Sequence, residues 1–225
     1  MIAVLFDMDG TLVDSEKLWD RAMVEFYARH DAFLSPAVRA ATVGCSADDV
    51  VGIIHADLKL PTDPQSLADT IECLHVSTGE LFETGLPWCP GAHELLEALA
   101  AAEVPMALVT NTRRSLTEKA LDTIGRHYFA VSVCGDEVSR AKPYPDPYLR
   151  AAELLGVRPG DCLAVEDSVA GSASAEAAGC PVLVVPNDVE VPGSPRRRHI
   201  QSLRDVDLAA LHTFFSDLLA QDAAI

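Results

Sequence analysis

The sequence predicts an α/β protein in which a doubly wound parallel sheet is interrupted by an all-helical module. Short apolar runs alternate with helical patterns after residue 89, and this alternation is typical of parallel strands joined by crossover helices. The block between residues 14 and 88 has helical patterns and no convincing strand. We therefore expect a sheet core formed by residues 1–13 and 89–225, with the helical module at residues 14–88.

The first strand is predicted at residues 2–6, where a continuous apolar run is typical of a strand buried on both faces. Because side chains alternate along a strand, Asp7 and Asp9 point the same way beyond its carboxyl end, where open α/β sheets bind ligands. Two carboxylates this close are costly unless a cation neutralises them or one keeps its proton. A hard ion such as Mg²⁺ would bind such oxygens. Taken alone, the pattern fits a tight turn equally well.

The other elements follow in order along the chain. In the helical module, apolar spacing and start signals predict helices over residues 15–30, from 35, from 46 and over 64–82. After a turn-rich junction we expect helices over residues 91–103, from 115, and over 145–155, 168–178 and 206–219. The strands between them are expected at residues 106–109, 129–133, 162–165 and 182–185. The Pro- and Gly-rich stretch 186–201 is expected to be a loop.

Composition restricts the partners and the compartment. The chain has 225 residues and a formal net charge of −17, which argues against a nucleic-acid partner because phosphate backbones require a basic surface. No stretch predicts a membrane helix or a secretory signal. The six cysteines show no paired spacing, so we expect reduced thiols in a cytoplasmic protein. We also expect a monomer.

Three further clusters of polar residues lie at predicted strand ends or in an adjoining loop. They are Thr110 with Asn111, Lys142 among three prolines, and Glu166 with Asp167. The Thr110 hydroxyl and the Asn111 N–H can donate to phosphate oxygens, the lysine can balance negative charge, and the acids can complete the oxygen shell of a metal. Each has an ordinary alternative, such as a helix cap or a surface charge.

The four clusters, in this order, resemble the phosphatase and phosphomutase branch of the haloacid dehalogenase superfamily. The resemblance rests on Asp-Met-Asp-Gly-Thr-Leu-Val-Asp-Ser at residues 7–15 and on Lys-Pro-Tyr-Pro-Asp-Pro from residue 142. It implies that Asp7 is a nucleophile that forms an aspartyl-phosphate. It also implies that Asp9 is the general acid and base, with its backbone carbonyl on Mg²⁺, and that Thr11 holds Asp9 and the loop.

The resemblance also implies the metal ligands and the activity. Asp167 would be the firmer further ligand, with Glu166 bound to the metal directly or through water. The expected activity is Mg²⁺-dependent hydrolysis of small phosphomonoesters, with sugar phosphates as the substrate class. In that family, a helical insertion after the first strand is a cap that closes over the cleft and selects the substrate.

Two other activities remain as alternatives. A β-phosphoglucomutase-like phosphomutase carries a histidine in its first cap helix, where this chain has Trp19. Such a mutase also has basic residues flanking a Gly-x-Ser loop, where this chain has Val43 and Ala47. A phosphoaccepting signalling domain would lack both the Asp-x-Asp spacing and the helical lid. The differences from the mutase and from the signalling domain both favour a phosphatase.

Several residues are candidates for contact with the substrate. In the helical module, Trp19 can stack on a sugar or fill the core of the module, and Gly44 and Ser46 form the Gly-x-Ser loop. Arg113 can reach a substrate anion, although a solvated arginine at a helix start is the simpler interpretation. Thr11 and Asn111 complete this candidate set.

Overall fold

The computed structural model describes residues 1–42, 45, 47–82, 85–185, 190–204 and 206–222. The chain divides into two compact units. The first unit consists of Met1–Asp14 and Leu86–Ile225, and the second of Ser15–Gly85. Among the described residues, no helix has the length and apolarity needed to cross a bilayer.

The first unit is built on a six-stranded sheet in which every paired strand is parallel. Its strands are β1 (Ala3–Phe6), β2 (Met106–Val109), β3 (Val131–Val133), β4 (Cys162–Glu166), β5 (Val182–Val184) and β6 (Arg197–His199). They lie in the order β3-β2-β1-β4-β5-β6. β1 therefore has β2 on one side and β4 on the other, and the carboxyl ends of these three strands meet at one edge.

The helices of the described residues are, in chain order, α1 (Glu16–Arg29), α2 (Pro36–Thr42), α3 (Ala47–Leu58), α4 (Pro64–Phe82), α5 (Ala92–Ala101), α6 (Arg114–Ile124), α7 (Asp146–Leu155), α8 (Val169–Ala178) and α9 (Leu208–Asp222). The first four belong to the second unit and the other five to the first. A parallel sheet whose strands alternate with helices confirms the predicted α/β fold class.

The central strands are fully buried, as their apolar sequences predict. β1, β2 and β4 have no exposed residue. On one face of the sheet, Leu5, Val109 and Ala164 pack in a core with Tyr148 and Ala151 of α7. This burial makes β1 a rigid support for the residues that follow it.

The loop expected at residues 186–201 is the main error in the predicted elements. Part of it, Arg197–His199, forms β6 and pairs in parallel with β5. This strand lies at the edge of the sheet, its residues are exposed or half-buried, and its side chains are Arg-Arg-His rather than an apolar run. Charged residues on a short edge strand discourage pairing with other chains, and the same residues conceal the strand from a search for apolar patterns.

The second unit is a bundle of the four helices α1–α4, with α1 and α3 both packed against α4. The Tyr27 hydroxyl of α1 donates a hydrogen bond to Asp57 of α3 over 3.0 Å. Trp19 is half-buried, and its ring lies 5.8 Å from that of His75 on α4. Trp19 thus packs within the bundle while keeping part of its surface exposed.

Candidate active site

Asp7 is fixed at the carboxyl end of β1. Its backbone N–H donates to the carbonyl of Val165 in β4 over 3.0 Å, and its side chain is buried. The chain then turns sharply at Gly10, which has a φ of 80°, a conformation that glycine adopts at little cost. The tight turn that Asp9 and Gly10 suggested is therefore present, and it places both acids beside the end of the strand.

Asp9 is bound by two threonine hydroxyls from the segment that follows β2. Thr110 and Thr112 both donate to Asp9 Oδ2, over 3.0 Å and 2.8 Å. The N–H of Thr112 in turn donates to the Thr110 hydroxyl oxygen over 3.0 Å. In this structure, the hydroxyls of the segment after β2 therefore bind Asp9, the second acid of the Asp-x-Asp pair.

Lys142 joins the ends of β1 and β4. Its buried ammonium donates to Asp7 Oδ1 over 2.5 Å and to Glu166 Oε1 over 2.6 Å. The loop that carries it is held by Asn111, whose side chain accepts from the Lys142 N–H over 2.9 Å and donates to the Lys142 carbonyl over 3.1 Å. Asn111 thus positions the lysine through its side chain, a contact that its expected backbone role did not include.

Glu166 is completely buried and accepts five hydrogen bonds. Besides Lys142, the hydroxyl of Tyr148 donates to Oε1 over 2.7 Å. The Ser168 hydroxyl and the N–H groups of Asp167 and Ser168 donate to Oε2 over 3.0, 3.2 and 3.4 Å. A Cβ at Gly171 would lie 1.9 Å from this carboxylate. The first turn of α8 is therefore shaped around Glu166.

Burial and the repulsion from neighbouring carboxylates raise the pKa values of Asp7 and Asp167. Burial is the main cause that raises the pKa of Asp7 to about 7, against the opposing effect of Lys142. Burial, followed by the charges of Asp7 and Glu166, raises the pKa of Asp167 to about 9. Burial also disfavours the charged form of Lys142, but Asp7 and Glu166 outweigh it and raise the lysine pKa. The site holds more negative charge than one lysine balances.

Three of these acids form a set that fits a hard divalent cation. Carboxylate oxygens of Asp7, Glu166 and Asp167 lie within 4.8 Å of one another. Oxygen ligands of this kind suit Mg²⁺, and a cation here would offset the repulsion that raises the pKa values of Asp7 and Asp167. The donor chemistry of the site therefore fits the metal that the sequence implies.

The remaining candidates for contact with the substrate include Arg113 and three residues of the helical module. Arg113 is exposed and directly precedes α6 without a side-chain capping bond, a placement compatible with both a solvated arginine and contact with a substrate anion. Trp19 belongs to the helical unit. Gly44 and Ser46 lie outside the described residues.

Thr11 differs from the role that the resemblance implies. Its side chain is fully buried, and its hydroxyl has no hydrogen-bond partner among the described residues. The Thr11 hydroxyl therefore makes no hydrogen bond to the Asp9 carboxylate in this structure. The hydroxyls of Thr110 and Thr112 bind it instead.

Sequence reasoning missed Thr112 and Tyr148. Thr112 lies two residues after Thr110, so a strand-like alternation would have placed both hydroxyls on one side. Tyr148 lies at the start of α7 and is fully buried, where a tyrosine resembles an ordinary core residue. Its hydroxyl bond to Glu166 joins residues 18 positions apart, and no local pattern indicates it.

Comparison with known proteins identifies the family of this chain. Residues 1–179 match the model of a family described as haloacid dehalogenase-like hydrolase. Hexitol phosphatase A of Escherichia coli (strain K12) is 33% identical over 195 residues, covering 84% of each chain. Hexitol phosphatase B of the same organism is 32% identical over 224 residues, covering 99% of this chain and 96% of its own.

A solved structure with the same fold supports the assignment. The crystal structure of CbbY from Rhodobacter sphaeroides in complex with phosphate aligns with a TM-score of 0.80 and 28% sequence identity. The alignment covers 94% of this chain and 99% of that one. The similarity therefore extends over both units of the chain rather than over the sheet alone.

Proposed function

The chain belongs to the haloacid dehalogenase-like hydrolases and is a phosphatase of that family, and we propose that it hydrolyses small phosphomonoesters of sugars and sugar alcohols. The observation that carries this proposal is the buried ion-pair network in which Lys142 joins Asp7 to Glu166. It brings together, at one sheet edge, a carboxylate suited to act as a nucleophile, a cation, and carboxylates that could hold a metal. The hexitol phosphatases among the relatives support the substrate class.

In the first chemical step, Asp7 attacks the phosphorus atom of the substrate. A bond forms between a carboxylate oxygen of Asp7 and phosphorus, and the bond from phosphorus to the substrate oxygen breaks. Asp9, protonated at this stage, gives its proton to the departing oxygen, so that an alcohol leaves rather than an alkoxide. The products of this step are an aspartyl-phosphate on Asp7 and an ionised Asp9.

In the second step, the same Asp9 acts as a base. It takes a proton from a water molecule whose oxygen attacks the phosphorus atom, and the bond to Asp7 breaks. Inorganic phosphate leaves and Asp7 is again a carboxylate. Asp9 has regained its proton, so the cycle closes without another reactant.

Positive charge and hydrogen-bond donors hold the phosphoryl group during both steps. Lys142 is in contact with Asp7, so its ammonium is placed to offset charge on the nucleophile and on the phosphoryl oxygens. We assign Thr110 and the N–H of Asn111 to the phosphoryl oxygens as donors. The side chain of Asn111 also binds the backbone of Lys142, so the position of the Asn111 N–H and that of the lysine depend on each other.

We assign Mg²⁺ to the carboxylates of Asp7 and Asp167 and to the backbone carbonyl of Asp9. The oxygens of Glu166 already accept five hydrogen bonds, which fills the capacity of a carboxylate. The longest of these bonds, from the Ser168 N–H over 3.4 Å, is the easiest to replace, and we place Glu166 around the metal through a water molecule that takes this position. When bound, the ion supplies charge stabilisation to the phosphoryl group and orients it.

Binding of Mg²⁺ is expected to strengthen as the pH rises. In the folded protein the pKa values of Asp7 and Asp167 are about 7 and about 9, against 3.8 for an ordinary Asp. Protons therefore compete with the metal, and the dissociation constant should fall by up to about tenfold per pH unit for each displaced proton. Titration calorimetry between about pH 6 and about pH 8 measures this change.

The raised pKa values of Asp7 and Asp167 also predict how the effect of Mg²⁺ on the unfolding temperature changes with pH. Because both pKa values are raised on folding, the metal-free protein loses stability as the pH rises above the ordinary value of 3.8. Saturating Mg²⁺ should therefore raise the unfolding temperature more at about pH 8 than at about pH 6. An equal rise at both values would contradict the assignment of these two acids to the metal.

We propose that the helical unit of residues 15–85 is a cap that selects the substrate. Its two connections to the sheet unit are joined next to the loop that carries Asp9, since Val13 forms β-bridges with both Asp9 and Trp88 and the Asp14 N–H donates to the Pro87 carbonyl over 2.8 Å. We assign the exposed part of Trp19, with Gly44 and Ser46, to the substrate alcohol. Arg113 is assigned to a substrate anion at the rim.

A substrate panel tests the proposed function. Phosphorus NMR with Mg²⁺ should show inorganic phosphate growing from hexitol phosphates and sugar phosphates, and no phosphate transfer within β-glucose 1-phosphate. Conversion of glucose 1-phosphate to the 6-phosphate would establish the mutase alternative instead. A phosphorylated protein that never releases phosphate would indicate a signalling domain.

A further inference from the structure

The Asp9 carboxylate must remain oriented while one of its two threonine partners changes task. Thr110 and Thr112 both donate to the same oxygen, Asp9 Oδ2. The proposed function also assigns the Thr110 hydroxyl to a phosphoryl oxygen, and a hydroxyl has one hydrogen to donate. When Thr110 donates to the phosphoryl group, its bond to Asp9 is lost.

The structure shows how Thr110 can change partners without moving. Its hydroxyl oxygen accepts the N–H of Thr112 over 3.0 Å, so the oxygen is anchored by the backbone while the hydrogen rotates. Thr112 thus contacts both Thr110, through its N–H, and Asp9, through its hydroxyl. The shorter of the two hydroxyl bonds to Asp9, at 2.8 Å, is the one from Thr112.

Thr112 is itself held by its surroundings. Its carbonyl accepts the N–H of Gly135 over 3.4 Å. The Thr117 hydroxyl of α6 donates to the neighbouring Arg113 carbonyl over 3.1 Å and lies 3.4 Å from the Thr112 carbonyl. A Cβ at Gly135 would lie 2.4 Å from the Asn111 carbonyl oxygen, so the two segments approach as closely as a glycine permits. The Thr112 hydroxyl therefore projects from a backbone fixed on both sides.

We propose that Thr112 is a positioning residue that orients Asp9 as the proton donor to the departing alcohol. An oxygen that accepts a hydrogen bond is a poor place for a proton, so the bond at Oδ2 directs the proton of Asp9 to Oδ1. The same bond fixes the plane of the carboxyl group while Thr110 serves the phosphoryl oxygens. This inference rests on the proposed function, because it assumes that Asp9 protonates a leaving oxygen.

The leaving group provides a readout that a merely structural role would not change. An alkyl oxygen needs a proton as it departs, whereas p-nitrophenolate is stable without one. Because kcat/KM includes the step in which the leaving group departs, it should depend on Thr112 for alkyl esters far more than for aryl esters. The ratio of the two kcat/KM values also cancels the fraction of enzyme that is folded.

The experiment compares Thr112→Val with two matched variants on glucitol 6-phosphate and p-nitrophenyl phosphate. In Thr112→Val, kcat/KM should fall by about 10- to 100-fold for the hexitol ester and by about threefold or less for the aryl ester. Thr112→Ser keeps a hydroxyl and should recover the hexitol activity to within about threefold. Thr117→Val removes a buried hydroxyl that contacts the same residue but not Asp9, and its two values should fall by one common factor.

The outcomes separate the inference from the function on which it rests. An equal loss on both esters in Thr112→Val would overturn the positioning role while leaving the phosphatase assignment intact. A selective loss on the hexitol ester in Thr117→Val would show that the loop, rather than the Thr112 hydroxyl, sets the effect, and would also overturn it. A wild-type protein that cleaves neither ester would overturn the proposed function together with the inference.

Discussion

Asp7→Asn is expected to abolish turnover, lowering kcat by about 10⁴-fold or more. The amide keeps the shape of the side chain but cannot attack phosphorus as a carboxylate does. Phosphate release from a hexitol phosphate, measured under saturating Mg²⁺, checks the result. Asp161→Asn is the matched control, because Asp161 lies before β4, at the opposite end of that strand from the site, and pairs with Arg158. Its turnover should stay within about twofold of wild type.

The loss in Asp7→Asn should occur in a protein that is at least as stable as wild type without metal. Lys142 keeps Glu166 as a partner at 2.6 Å, and one of the repelling charges is gone. The pKa of Asp7 rises from 3.8 to about 7 on folding, so ionised Asp7 lowers the stability of the metal-free fold above the ordinary value. In EDTA, the unfolding temperature of the variant should equal that of wild type near about pH 4 and exceed it near about pH 8.

Two results would contradict the role of Asp7. Turnover within about tenfold of wild type would mean that another group attacks the phosphorus atom. A variant that loses activity but also unfolds in EDTA at neutral pH would show that Asp7 is needed for the fold rather than for chemistry alone.

The strand ends that carry the site could be predicted because two simple rules locate them. An apolar run that stops at an acid marks the end of a buried strand, as at Asp7 and Glu166, and parallel strands bring their carboxyl ends to one edge. The observed order places β1 between β2 and β4. The strands followed by Asp7, Thr110 and Asp167 are therefore neighbours, and their proximity follows from topology rather than from any detail of side-chain packing.

The hydrogen bonds within the site could not be predicted in the same way. The side chain of Asn111 binds the backbone of Lys142 across 31 residues, and only the folded loop brings the two together. Thr112 has the residue type of an ordinary capping residue, and Tyr148 that of a core residue. Their roles depend on which oxygen of Asp9 or Glu166 they reach, and sequence spacing carries no information at that scale.

The helical unit illustrates a further limit. Apolar spacing locates α1 and α4 almost to their ends, because burial inside a bundle follows the helical period. The same spacing assigns Trp19 to the interior and to the surface equally well. The structure places its ring against His75 and leaves part of it exposed, so both uses of the side chain are compatible with one conformation.

Lys142→Met is expected to lower both activity and stability, since it removes a buried cation that two buried carboxylates share. Asp7 and Glu166 would lose contacts of 2.5 and 2.6 Å. Breaking a buried ion pair by removing one partner typically costs about 3–5 kcal/mol of unfolding free energy. Turnover should fall by about 10³-fold, because the phosphoryl group and its nucleophile lose their positive neighbour. Urea unfolding and hexitol phosphate hydrolysis measure the two losses.

The pH dependence of the stability loss distinguishes this mechanism from poor packing of the methionine. Lys142 lowers the pKa of Asp7 against the larger effect of burial, so its removal raises that pKa further. Protonation then relieves the repulsion at a higher pH than in wild type, and the variant should regain stability relative to wild type as the pH falls from about 9 to about 7, the pKa of Asp7 in wild type. A stability loss that is independent of pH would indicate a packing defect instead.

Addition of Mg²⁺ and the conservative variant Lys142→Arg distinguish the loss of stability from the loss of turnover in Lys142→Met. Mg²⁺ supplies positive charge to Asp7 and Asp167 and should restore part of the stability, yet it cannot take the place of the ammonium between Asp7 and Glu166. Lys142→Arg keeps the charge, so it should lose less stability than the methionine variant, while its larger, planar head group should still impair turnover. Lys59→Met, which removes an exposed lysine of the helical unit, should change neither quantity appreciably. If Mg²⁺ restored full turnover to Lys142→Met, the lysine would be needed for charge balance alone, and its place beside the nucleophile would have no catalytic role.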